Sequence, residues 1–397
     1  MTTSPLKGIT VLDLTRVMSG PYATLMLADM GARVIKVERP QRGDDTRAWG
    51  PPFIGGESAY FLSVNRNKES LTLDFKQPDG RRILDSLIDQ ADVLVENFRP
   101  GTLQRLGLDY ASLALRVPRL VYASISGYGQ TGPLSNLAGI DAVAQAEGGL
   151  MSLTGDAAGS PFRLGLPISD LVAGLFAAQG ILLALLERAT TGRGRQVDIS
   201  MLDSVAALLT YQASAYLATG DDPQRQGNAH GSIVPYDTFD ARDGPFVLAV
   251  GNDDQWRRFC AAAGLAELAA DERFATNPQR VAHRHVLQPI VAGVITTRDR
   301  ADWTECLRQA GVPCGPVQTV GEALDNPQLQ ARGMITAVQH AAAGELRLVG
   351  SPIKLSDSTA RADRPPPTLG EHTDAILMTE LGFSEVQVKD LRQRQVV

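Results

Sequence analysis

Residues 8–38 read GITVLDLTRVMSGPYATLMLADMGARVIKVE, and they decide the fold. GITVLDL is a short run of apolar and β-branched residues, which reads as a strand. TRVMSG is a loop. A helix follows from about Pro21 to Met30, Gly31 stops it, and RVIKVE begins a second strand. The three pieces make one βαβ unit.

The same alternation continues outward. SLTLDFK alternates Leu71, Leu73 and Phe75 with polar residues, and PDGRRILDSLIDQ follows as a helix with Pro78 near its start. ADVLVENF, RLVYASIS and RQVDIS are further strand-like runs. Strands alternating with helices imply an α/β fold with a largely parallel, doubly wound sheet. The pattern changes after Ala218. TGDDPQRQGNAHGSIVP is polar and turn-rich, as a linker or crossing segment is. Beyond it FVLAV reads as a strand, and DDQWRRFCAAAG, VLQPIVAGVI and DRADWTECLRQAG read as helices, giving a smaller α+β unit. SDSTARADRPPP is a second polar, proline-rich stretch, and HTDAILMTELG a final helix pattern. The expected organisation is a large domain over 1–218, a crossing segment at 219–234, a small domain at 235–325, and a return over 326–397 that completes the large domain.

A chain of 397 residues exceeds one ordinary core and suits about two domains. Its net charge of −6 argues against general nucleic-acid binding while leaving room for a local basic pocket. Cys260, Cys306 and Cys314 form no CxxC pair, so the expectation is a reducing, cytoplasmic compartment without disulfides. MTTSPLKGITVLD lacks the basic and apolar regions of a signal peptide. The apolar run Leu171–Leu186 carries Gln179 and two glycines; it reads as a buried core helix rather than a membrane span.

The βαβ unit raises the question of a dinucleotide. Its turn, TRVMSGP, has one glycine, too few for the pyrophosphate fingerprint, so Glu38 reads as a strand-end charge. The P-loop, HExxH and GxSxG patterns are absent. His230, His283, His285, His340 and His372 are too dispersed for a metal site. Basic residues do recur just beyond predicted strands: Arg39, Lys76, Arg99 and Arg105. Ligands of open α/β sheets bind there, and the set would suit a multiply phosphorylated ligand.

One carboxylate stands apart. In PISDLVAG, residues 167–174, Pro167 breaks the preceding segment and Ser169-Asp170 opens a long apolar run. Both are preferred N-cap types, so Asp170 reads as a structural cap. The same position supports a second reading, in which the helix dipole keeps the carboxylate ionised as a nucleophile. The residues alone leave both open.

These segments, with GDDTRAWGPP, NRNKESLTLDFK, ADVLVENFRPG, SISGYGQTGP, AQAEGGLMSLTG, SDLVAG, LLERATTGRGRQVDISMLDS and PPPTLGEHT, resemble the class III CoA-transferases of the CaiB/BaiF type. That family includes formyl-CoA transferase, carnitine CoA-transferase and the α-methylacyl-CoA racemases. The resemblance implies a Rossmann-like large domain completed by the C-terminal segment, a small domain, and an interlocked homodimer. It assigns the nucleophile to Asp170, acting through an aspartyl anhydride and an aspartyl-CoA thioester, with no metal and no permanently bound cofactor. It places CoA contacts at Val17, Met18, Arg39, Leu73 to Lys76, Asn97, Phe98, Arg99 and Arg105. Candidate substrate contacts are Tyr60, Ile140, Asp141 and His230. Met18 replaces a glutamine of formyl-CoA transferase, and ARDGPF has one glycine where that enzyme has a glycine-rich loop. Ile140 stands where racemases carry a histidine, which leaves two-base epimerisation without its second group. NAHGSIVPYDTF is similar to the dicarboxylate transferases of the succinyl-CoA:glutarate type. The implied partners are therefore an acyl-CoA, with succinyl-CoA as the expected donor, and a C4–C6 dicarboxylate acceptor; no nucleic acid and no membrane are expected.

Overall fold

The computed structural model describes residues 4–358 and 364–397. Met1–Thr3 of the expected leaderless opening and residues 359–363 of SDSTARADRPPP lie outside the described residues. The chain forms two compact units. The first comprises Met1–Leu150, Arg163–Ala218 and Pro327–Val397; the second comprises Met151–Phe162 and Thr219–Asn326.

The first unit is built on six parallel strands: β1 (Thr10–Asp13), β2 (Arg33–Glu38), β3 (Lys68–Thr72), β4 (Val93–Glu96), β5 (Val121–Ser126) and β6 (Gln196–Ser200). Their order is β3-β2-β1-β4-β5-β6, the doubly wound order that reverses direction beside β1. Helix α1 (Ser19–Asp29) connects β1 to β2, and Gly31 ends the connection at φ +95°. Helix α2 (Pro78–Gln90) leads from β3 to β4.

Both faces of the sheet are covered, as parallel strands require. On one, Leu12, Ile35 and Leu94 pack with Leu84 and Leu87 of α2. Ile376, Leu377, Leu391, Val396 and Val397 join the same cluster, so the C-terminal segment fills out this core. Part of that segment, the helix Glu385–Gln393, is absent from the sequence reading. Its signal was present: Ser384 and Gln387 form a reciprocal capping box. The HTDAILMTELG helix is one short turn, Thr373–Ala375, running into a wider π-type turn at Ile376–Glu380.

On the other face lie α1, α3 (Asp141–Glu147) and α4 (Ile168–Thr191). The expectation of a buried core helix for Leu171–Leu186 holds for one face of the helix only. Ala173, Ala177, Ile181 and Ala184 are buried, but Leu175, Phe176, Leu182, Leu183 and Leu186 are exposed. Small residues at i, i+4 spacing let one face approach the sheet, while large apolar residues occupy the other. By length and composition alone the helix could cross a membrane.

The second unit has a three-stranded antiparallel sheet whose central strand is Gly244–Ala249. Trp256, Phe259, Phe274, Trp303 and Leu307 are buried against it. Met151–Phe162, assigned by sequence to the first unit, belongs here. Arg225 holds it through the carbonyls of Asp156 and Gly159 (3.3 and 2.7 Å), and Gly227 N–H bonds Gly155 O at 3.2 Å.

Candidate active site

In the first unit, two adjoining cavities lie just past the carboxyl ends of the parallel strands, where ligands of such sheets bind. The larger, about 570 Å³, is bordered by Arg39, Arg42, Leu73 and Lys76. The other, about 480 Å³, contains Asp170 and Ser19. Arg16 and Phe98 border both.

Asp170 owes its availability to a neighbour. Helix α4 starts at Ile168, and its N-cap residue, Pro167, offers no side-chain bond. The cap comes from another element. Asp141, the first residue of α3, accepts both the Ser169 N–H (3.0 Å) and the Ser169 hydroxyl (2.7 Å) through Oδ1. Gln145 Nε2 donates to the other oxygen at 2.8 Å and fixes the Asp141 carboxylate. The structural-cap reading of Asp170 is thereby corrected. The capping carboxylate is Asp141, 28 residues before Ser169, and Asp170 sits in the first turn and lines the cavity.

There it meets the N-terminus of α1. The Ser19 hydroxyl and backbone N–H are close enough to favour the charged form of the Asp170 carboxylate. The close approach depends on Gly174, one turn further along α4, where a Cβ would stand 2.7 Å from the Ser19 carbonyl. Burial and the nearby Asp141 charge raise the Asp170 pKa to about 6, against the pull of Ser19. The expectation that the helix terminus simply keeps this group ionised is thus modified: desolvation and the Asp141 charge outweigh the pull of Ser19 and hold the carboxyl above the usual carboxylate range.

The turn leading into α1 is under strain. Val17, a β-branched residue, adopts φ +69°, a region such residues avoid. Four contacts impose that geometry. Val17 N–H donates to Asp44 (3.2 Å), and Lys36 Nζ donates to Thr15 O (2.9 Å). Asn97 Oδ1 accepts the Arg16 N–H (2.9 Å), and Asn97 Nδ2 donates to Arg16 O (2.7 Å). The loops after β1, β2 and β4 are in this way locked together around the cavity.

The residues singled out by sequence divide clearly. Val17, Tyr60, Asn97, Phe98, Arg99, Ile140, Asp141 and Asp170 line the smaller cavity; Arg39, Leu73, Lys76 and again Phe98 line the larger. Three lie elsewhere. Met18 is buried with Leu25 and Val64, because its apolar side chain turns into the packing beneath α1. Arg105 is exposed on the turn Gln104–Leu106 and borders neither cavity. His230 belongs to the second unit, where its ring lies 5.4 Å from that of Tyr236 and its Nδ1 accepts the Ser232 N–H. Asn97 borders the cavity, yet its amide is committed to the Arg16 backbone. Sequence reasoning missed Arg16, Ser19 and Trp49. Trp49 meets Tyr60 edge-on at 5.3 Å, forming an aromatic wall. Among the described residues, no group of three or more His, Cys, Asp or Glu side chains could hold a metal ion.

A family model described as CoA-transferase family III matches residues 6–373. Succinyl-CoA:glutarate CoA-transferase from Mus musculus is 43% identical over 98% of this chain and 89% of that protein. Acetyl-CoA:oxalate CoA-transferase from Acetobacter aceti is 42% identical over 96% of this chain and 97% of that relative. Among solved structures, a CaiB/BaiF family protein from Brucella suis matches with a TM-score of 0.86 and 42% identity, covering 95% of this chain and 99% of that one. The chain belongs to CoA-transferase family III.

Proposed function

We propose that this protein moves CoA from an acyl-CoA to a carboxylic acid, with Asp170 as the nucleophile. The observation carrying this reading is a carboxylate released from capping duty, partly buried, and lining a cavity beside Ser19. Asp170 attacks the thioester carbonyl. The C–S bond breaks, leaving an aspartyl mixed anhydride and CoA thiolate. The thiolate adds to the aspartyl carbonyl carbon and expels the first acid, forming an aspartyl-CoA thioester. An incoming carboxylate attacks that thioester, and the same steps in reverse return free Asp170 and a new acyl-CoA. Covalent steps of this kind divide one difficult transfer into easier ones. Ser19 N–H and its hydroxyl suit the oxyanion that forms on the aspartyl carbon.

The larger cavity would hold the phosphorylated end of CoA, with Arg39, Arg42 and Lys76 as counter-charges. The thioester end would pass Phe98 to reach Asp170. Succinyl-CoA is the donor we infer, with a C4–C6 dicarboxylate as acceptor, in keeping with the mouse relative; the Acetobacter relative makes an oxalate-type transferase the second reading. Racemisation has less support. Ile140, beside Asp141, is a solvent-exposed apolar residue and offers no second acid or base. We also infer a homodimer, with the exposed leucines of α4 covered by the second chain, and a cytoplasmic setting.

Incubation with succinyl-CoA and a panel of carboxylic acids, read by mass spectrometry, tests the reading. New CoA esters of dicarboxylates support it; hydrolysis alone, or α-proton exchange without an acceptor, contradicts it.

The pH dependence gives a second check. An Asp170 pKa near 6 places an acid limb in kcat/KM close to pH 6, since the nucleophile is lost as it protonates. Asp141→Asn removes a like charge, so the Asp170 pKa falls and the limb moves to lower pH. Ser19→Ala removes a donor to the charged form, so the limb moves to higher pH. Shifts of the same sign in both variants would contradict this electrostatic account.

A further inference from the structure

Arg16 has no role in the steps above, yet its position is unusual. It is the basic residue common to both cavities, and with Arg99 it supplies the cationic side chains lining the Asp170 cavity among the described residues. Its main chain is fixed on both sides by Asn97. Its guanidinium lies over the Phe98 ring, 5.4 Å from the centroid. One nitrogen, Nη1, donates to Asp45 at 3.1 Å. The side chain as a whole is 39% exposed, but Nε itself is shielded and has no hydrogen-bond partner within the protein. A buried donor without an acceptor is costly and calls for an explanation. Nε belongs to the edge of the guanidinium fork that grips a carboxylate with two parallel bonds, and Asp45 occupies the far corner instead.

We propose that Arg16 is a specificity-determining residue that binds the remote carboxylate of a dicarboxylic acyl group while its other end reacts at Asp170. The inference rests on the aspartyl-transfer reading and refines its substrate class. Arg39, Arg42 and Lys76 already give the larger cavity three cations for phosphates, whereas Arg16 reaches the acyl side of the junction. Stacking on Phe98 restrains the guanidinium and limits the entropy lost on binding. The shared ligand chemistry is an anionic oxygen pair, and its two sources are the acyl carboxylate and a CoA phosphate.

The test compares Arg16→Gln with wild type on two readouts. One is kcat/KM for succinyl-CoA with glutarate as acceptor; the other is the Kd of free CoA by calorimetry. The expected result is a loss of about 100-fold in kcat/KM, the lower range for removing one partner of a hydrogen-bonded charge pair. CoA affinity should change less than about 3-fold, and Arg16→Lys, a point charge without the fork, should recover only part of the loss. A CoA Kd that weakens as much as kcat/KM falls would assign Arg16 to a phosphate. An unchanged kcat/KM would remove it from recognition altogether. Either result overturns the proposal. Trapping of wild-type protein with hydroxylamine separates the two levels: modification at Asp170 with a negative Arg16 result rejects this inference alone, whereas wild type without that modification rejects the transfer reading beneath it.

Discussion

Asp170→Ala and Asp170→Asn lose CoA transfer by more than about 10⁴-fold, the scale seen when a covalent nucleophile is removed, without losing stability. The combination is what distinguishes the two original readings of this residue. A true N-cap lost to alanine would cost about 0.5–2 kcal/mol of folding free energy. Here Asp141 already holds the Ser169 N–H and hydroxyl, so the helix start survives. The sign of the pKa shift points the same way. Burial raises the Asp170 pKa to about 6 with help from Asp141, so above that pH the ionised group disfavours the folded state. Asparagine at 170 should therefore leave the thermal midpoint at pH 7.5 unchanged or slightly higher. Steady-state rates and thermal melts on the same preparations check both halves. A variant that melts early and keeps appreciable turnover would restore the structural-cap reading.

Lys36→Met has the largest expected effect on stability. The Lys36–Asp44 pair is fully buried on both sides at 2.9 Å. Burial alone would drive Lys36 towards its neutral form, but Asp44, Asp13 and Glu38 outweigh it and hold the pKa above the usual lysine value. Removing the lysine leaves the Asp44 carboxylate buried without its counter-charge, a change that costs about 3–5 kcal/mol. It also frees Thr15 O and loosens Asp44, which holds Val17 at its strained φ. Denaturant unfolding should show the loss, and the surviving folded fraction should bind acyl-CoA more weakly. Lys36→Met combined with Asp44→Asn should recover most of the stability, because no charge is then stranded. A single-variant loss below about 1 kcal/mol would show that the pair contributes little.

Much of the fold was legible because parallel strands buried on both faces are continuous apolar runs. VLDL, VIKV, VLVE and VYAS reveal themselves in that way, and Gly31 and Pro78 mark the helices between them. The basic residues read beyond the strand ends do stand at that edge of the sheet: Arg39, Lys76 and Arg99 border the cavities. Other features depend on distance. Nothing local to ISDLVAG shows that Asp141 supplies its cap, and nothing local to TRVMSGP shows that Asn97 and Asp44 pin it. Arg16 and Ser19 were overlooked for that reason, since their meaning comes from loops after two other strands. Met18 misled because matching by position says which residue is present, whereas packing decides which way it faces. The 151–162 stretch misled similarly: its association with Arg225 spans some 70 residues and leaves no periodic trace.

The proposed role of Asp170 as carrier of the transferred group is tested most directly by quenching the protein during turnover of succinyl-CoA with hydroxylamine or borohydride, followed by peptide mass spectrometry. The expected result is a hydroxamate, or the alcohol from reduction, on the peptide containing Asp170, formed only with acyl-CoA present and absent in Asp170→Asn. Full-rate transfer with that peptide unmodified, or with the label on another residue, would contradict it.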